Sequence, residues 1–128
     1  MAVRIVHLGS PRASGEGLRI GTVRRPPRGV PKNEYASRNY YDVWLPNLAP
    51  SEQLLKAGRS AKNETDWRSF IKRHRSEMRR AENNRVLDLL AALSHQVNFS
   101  VGCYCNDEQR CQRSVLRQLL VERGASLA

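Results

Sequence analysis

Residues 83–124 read NNRVLDLLAALSHQVNFSVGCYCNDEQRCQRSVLRQLLVERG, and this stretch decides the fold class. Asn83 or Asn84 is expected to cap a helix, because a short polar side chain accepts from the unpaired N–H groups of a first turn. Val86, Leu87, Leu89, Leu90 and Leu93 then give that helix a wide apolar face. Residues 97–105, VNFSVGCYC, follow as a strand rich in β-branched and aromatic side chains. A further helix runs to about Arg123, and Gly124 supplies the left-handed stop. Helix, strand and helix in succession point to a parallel α/β arrangement. Ligands on such sheets bind beyond the carboxyl ends of the strands.

Working outward, residues 3–8 (VRIVHL) and 18–23 (LRIGTV) read as two more strands, joined by a loop over 9–17 that holds Pro11 and Gly17. Residues 24–50 hold Pro26, Pro27, Pro31, Pro46 and Pro50 together with Arg24, Arg25, Arg28, Lys32 and Arg38. Proline removes backbone donors and pushes its predecessor out of helical geometry, so a long irregular segment is expected, with room for a short helix near 34–38. Ser51 is expected to cap a helix through Lys56, with Gly58 ending it in the left-handed conformation. Asn63 or Thr65 caps the next helix, whose Trp67, Phe70, Ile71 and Met78 share a face opposite Arg68, Lys72, Arg73, Arg75, Arg79 and Arg80. Residues 125–128 form a short last strand or fray. The expectation is a single α/β domain over 1–128: a mostly parallel sheet of about three to five strands, flanked by helices, with a long Pro/Arg-rich irregular segment.

Composition narrows the function classes. The 128 residues are 40% hydrophobic and 27% charged, too apolar for a disordered chain. No apolar run nears the roughly 20 residues of a membrane span, so no membrane partner is expected. Lys and Arg total 22 against 12 Asp and Glu, for a formal charge of +10, and 18 of the 22 are Arg. That excess favours a phosphate-bearing small molecule or nucleic acid as partner, unless it only solvates the surface. The guanidinium fork suits phosphate, to which it bonds bidentately. Without the apolar core of a secretory signal near Met1, and with only three cysteines, the chain reads as cytoplasmic with reduced thiols.

Those cysteines, Cys103, Cys105 and Cys111, fall where a strand hands over to a helix. Three readings stay open. Cys105 or Cys111 is a nucleophilic or redox thiol, since a helix N-terminus and nearby Arg110 and Arg113 favour thiolate. The three sulfurs hold a metal. Or Cys111 simply continues the apolar stripe of Val115, Leu116, Leu119 and Leu120, on a helix starting at Asn106. No paired Cys-x-x-Cys motif is present and His7, His74 and His95 are scattered, so neither metal nor cofactor is expected from spacing.

The chain resembles the YeaO-like family of small bacterial proteins, a domain-of-unknown-function family. Pro27-Arg28-Gly29-Val30 and Asp42-Val43-Trp44-Leu45-Pro46-Asn47-Leu48-Ala49-Pro50-Ser51 carry the resemblance. Trp67-Arg68-Ser69-Phe70 and Cys111-Gln112-Arg113-Ser114 extend it. The resemblance implies a compact α/β domain and no established activity. Relatives with an Asp-Arg-x-Trp-Pro-Arg-Gly run are matched here by Val23-Arg24-Arg25-Pro26-Pro27-Arg28-Gly29. The Cys-His-Arg seen in many relatives becomes Cys111-Gln112-Arg113, so two acid–base candidates are replaced.

The functional expectation is an anion- or nucleotide-binding cleft. Arg24 and Arg28 enter it from the loop after the second strand, and Cys105, Cys111, Arg113 and Ser114 from the last strand–helix junction. The alternative is a non-catalytic, weakly specific nucleic-acid binder using the Arg-rich segment, with Tyr35, Tyr40, Tyr41 and Trp44 stacking on bases.

Overall fold

The computed structural model describes residues 1–105 and 111–128. Its strands are β1 (Val3–His7), β2 (Leu18–Gly21), β3 (Val43–Trp44) and β4 (Phe99–Cys103). Its helices are α1 (Glu52–Arg59), α2 (Glu64–Met78), α3 (Ala81–Leu93) and α4 (Gln112–Glu122). The strands form one parallel sheet in the order β1-β4-β2-β3. A single bridge between Val3 and Leu127 adds to it at the β1 edge, where residues 125–128 form neither a full strand nor a frayed end. None of the helices among the described residues is long and apolar enough to cross a membrane.

Alternation along the strands divides the sheet into two unlike faces. Val3, Ile20, Phe99 and Val101 point to one face, where they meet Met78, Leu87, Leu90, Val115, Leu116 and Leu120 from the helices. The other face holds Arg19 and Ser100, which are partners in the β2–β4 register and fully buried. The Arg19 guanidinium grips Glu16 through Nε at 2.8 Å and Nη2 at 3.0 Å, and its Nη1 donates to the Ser10 and Asn39 carbonyls. Ser100 donates to the same carboxylate at 2.6 Å. Connecting segments cover this face, and Tyr41 packs where Gly21 leaves room: a Cβ at Gly21 would fall into its ring.

Several local expectations are corrected. Residues 24–50 are not irregular throughout, since they contain β3 and single 3₁₀ turns at Lys32–Glu34 and Pro46–Leu48. Ser51 and Asn63 cap α1 and α2 as expected, accepting from the Leu54 and Asp66 amides. Gly58, however, lies inside α1; its bareness lets the helix approach Phe70, whose ring would stand 2.7 Å from a Cβ there. Helix α3 starts after Arg80 and not at Asn83 or Asn84, because Asn83 turns back to donate to the Glu77 carbonyl. Gly124 does stop α4, at φ +78°. The proposed α4 start at Asn106 lies outside the described residues; the described helix begins at Gln112 with Cys111 as its cap.

Candidate functional site

The carboxyl ends of β2 and β4 open into a cleft of about 440 Å³. Two walls are legible from the topology. The chain leaving β2 supplies Val23, Arg24, Arg25 and Arg28, and the chain leaving β4 supplies Cys103, Tyr104 and Cys105. Cys111 and Gln112, at the start of α4, close this side, so the positive end of the α4 dipole lies at the cleft. The third wall is α1, which contributes Lys56 and Arg59, and the floor is apolar, with Trp67 and Phe70 stacked at 4.7 Å between centroids.

Most of the charge in this cleft is positive. Arg24 is held in place by the Pro50 and Ala49 carbonyls at 3.0 and 2.9 Å. Arg25 is engaged by Glu52 at 2.7 Å, the one carboxylate among the described lining residues. Arg28, Lys56 and Arg59 are exposed at the rim.

Of the residues anticipated from sequence, the fold brings Arg24, Arg28, Cys105 and Cys111 together. Arg113 and Ser114 do not line the cleft. Arg113 is buried behind it, donating from Nη2 to the Cys105 carbonyl at 2.6 Å, while its Nε finds no partner. The Ser114 hydroxyl turns back to the Cys111 carbonyl at 2.9 Å. Lys56 and Arg59 were missed, although their spacing of three on a capped helix places them on one side of α1. Gln112 donates to the Thr22 carbonyl at 2.7 Å and so ties α4 to the end of β2.

Two thiol expectations change. The Cys103 and Cys111 sulfurs are in disulfide contact, so Cys105 is the free thiol, and it is exposed. Its acidity is also not enhanced. The surrounding protein mass pushes the Cys105 thiol up, outweighing the pull of Arg113 and Arg59 in the other direction. No histidine lines the cleft among the described residues, and the one carboxylate there, Glu52, is engaged by Arg25.

The family model for DUF488-N3a, described as the active DUF488-N3 subclade, matches residues 3–124. The chain belongs to the DUF488 family. YeaO is a member of the same family, which agrees with the resemblance noted above. No match was found among curated proteins or among solved structures.

Proposed function

We propose that this DUF488 protein binds a small anion carrying an apolar or ring-shaped body, a nucleotide or similar phosphate ester, in the cleft at the carboxyl edge of its sheet. The observation that carries the reading is the convergence of Arg24, Arg28, Lys56 and Arg59, from two separate segments, around a single concavity with an aromatic floor. A volume of about 440 Å³ lies within the range of small-ligand pockets. The rim cations give charge-assisted bonds to phosphate oxygens, and the floor gives a base or ring a surface to cover. The description of the subclade as active fits a cleft that also presents a free thiol.

The nucleic-acid alternative has less support. Tyr35 and Tyr41 pack edge to face at 5.3 Å, Tyr41 is buried, and the Trp44 indole donates to the Val23 carbonyl at 2.7 Å. Tyr41 is therefore used in packing, Tyr35 and Tyr40 are half-buried, and Trp44 alone of the four stays exposed. Thermal-shift titration with inorganic phosphate, nucleoside monophosphates and a single-stranded oligonucleotide separates the two. The cleft reading expects a nucleotide at a hundred times its Kd to stabilise the fold by about 2.7 kcal/mol. It also expects Arg28→Ala and Lys56→Ala each to weaken binding about tenfold, or about 1.4 kcal/mol. Stabilisation by the oligonucleotide alone, lost in moderate salt, supports the alternative. No response to any anion defeats both.

A further inference from the structure

We propose that Cys103, Cys105 and Cys111, once reduced, form a three-thiolate site for a thiophilic divalent cation, zinc before others, on the wall of the cleft. The proposal stands apart from the anion reading, because metal uptake is measured with no anion present.

Spacing gives no metal signature here, since Cys-x-Cys-x₅-Cys lacks the paired motif of structural zinc sites. The fold supplies the convergence that spacing lacks. β4 ends at Cys103, the chain carries Cys105 just beyond, and Cys111 caps α4. The three Sγ atoms all lie within 4.8 Å of one another. Zinc–sulfur bonds of about 2.3 Å at tetrahedral angles require sulfurs roughly 3.8 Å apart, so only small side-chain adjustments separate this cluster from a coordination shell. Thiolates are soft donors, and they select zinc or cuprous ion over magnesium and calcium.

A permanent Cys103–Cys111 disulfide accounts for the cluster less well. The two Cα atoms stand 8.0 Å apart, outside the usual span of about 4.4–6.8 Å for a disulfide. A bridging metal reaches further, and it also uses Cys105. The electrostatics point the same way. Three thiolates around a divalent ion leave one net negative charge. Arg113 sits against Cys105, only 4% exposed and with an unpartnered Nε, and a buried guanidinium is costly without an anion nearby. Among the described residues no histidine or carboxylate joins the three sulfurs. Among the described residues, then, the fourth position falls to water or to a ligand in the cleft, as in zinc sites that do chemistry.

The test is anaerobic titration of the reduced, chelator-stripped full-length protein with Co²⁺, followed by displacement with Zn²⁺. One equivalent of cobalt is expected, with a sulfur-to-cobalt charge-transfer band and the intense visible bands of a tetrahedral site. Because Cys105 is exposed, Cys105→Ser should leave the far-ultraviolet circular dichroism unchanged. It should retain about two-thirds of the charge-transfer intensity, one thiolate of three having gone, and bind zinc at least about tenfold more weakly. The proposal is overturned if the reduced protein shows no such band, or if Cys105→Ser binds as the parent does. It is equally overturned if Cys103 and Cys111 are found linked by mass spectrometry and the protein takes up no cobalt after their reduction.

Discussion

Glu16→Gln probes the buried ion pair on the loop-covered face of the sheet. Gln matches Glu in shape, so the change removes a charge and almost no volume. Arg19 remains wholly buried, with the carbonyls of Ser10 and Asn39 for partners and its carboxylate gone. Removing one member of such a pair costs about 3–5 kcal/mol, because the other charge stays in a poorly solvating interior. The titration of Glu16 gives a second figure. Burial by itself would raise its pKa, but hydrogen bonds from Arg19, Ser100 and the Ala13 amide outweigh burial and bring it from 4.5 to about 2. A lowering of that size corresponds to roughly 3 kcal/mol at neutral pH. The two figures agree, and both are large against a typical total stability of about 5–15 kcal/mol. Since the carboxyl is more acidic in the folded chain, its contribution is complete well above pH 4.5 and drains away as the pH falls towards 2. At pH 3 less than half of it remains. Urea unfolding followed by circular dichroism, on parent and variant at pH 7 and pH 3, reads both values. The gap is expected to be about 3 kcal/mol at pH 7 and less than half of that at pH 3. A gap under about 1 kcal/mol at pH 7, or an equal gap at both pH values, refutes the reasoning.

Three further outcomes are expected. Tyr41→Phe removes a buried hydroxyl that has no partner and whose pKa burial, with Tyr35 alongside, raises to about 12; the melting temperature should hold or rise, and a loss above about 1 kcal/mol counts against this. Gly102→Ala drives a Cβ into the Val6 carbonyl oxygen across the β1–β4 ladder, and since backbone cannot step aside, destabilisation should reach the upper end of about 1–3 kcal/mol in chemical denaturation. Burial lowers the pKa of His74 from 6.5, against the opposing pull of the Leu48 carbonyl and Glu77; its ring should titrate by NMR with a midpoint below 6.5, and fold stability should decline as the pH falls below 6.5. A midpoint at or above 6.5 would contradict the burial argument.

Periodicity revealed the elements that form the main core. Residues such as Val3, Ile20 and Val101 had to be β-branched or otherwise apolar to fill a parallel sheet, and Trp67, Phe70 and Met78 had to share one side of α2. By contrast β3 is only Val43–Trp44, too short to show alternation, and it exists because Ile20 and Gly21 offer it an edge. Glu16 stands only three residues before Arg19, yet the pair does not read as buried, because the carbonyls of Ser10 and Asn39 that complete its partners come from segments folded over it. Within the site, Arg24, Arg28, Cys105 and Cys111 were legible for a topological reason: parallel strands gather the segments that follow them at one edge. Lys56 and Arg59 depend on how closely α1 approaches Phe70, which Gly58 permits, and charge patterning does not encode that distance. Arg113 was expected in the cleft, but at the first turn of α4 it turns away and bonds to the Cys105 carbonyl.

The bridge between Val3 and Leu127 has a practical side. Both ends of the chain are fastened at the amino edge of the sheet, where Ser126 donates to the Met1 carbonyl at 2.9 Å and the Ala128 amide donates to Val3 at 3.0 Å. The cleft opens at the opposite edge. A fluorescent fusion or a sensor-chip tether attached at either end therefore leaves the cleft unobstructed, and a short linker joining the two ends invites circular permutation with new termini placed elsewhere on the surface.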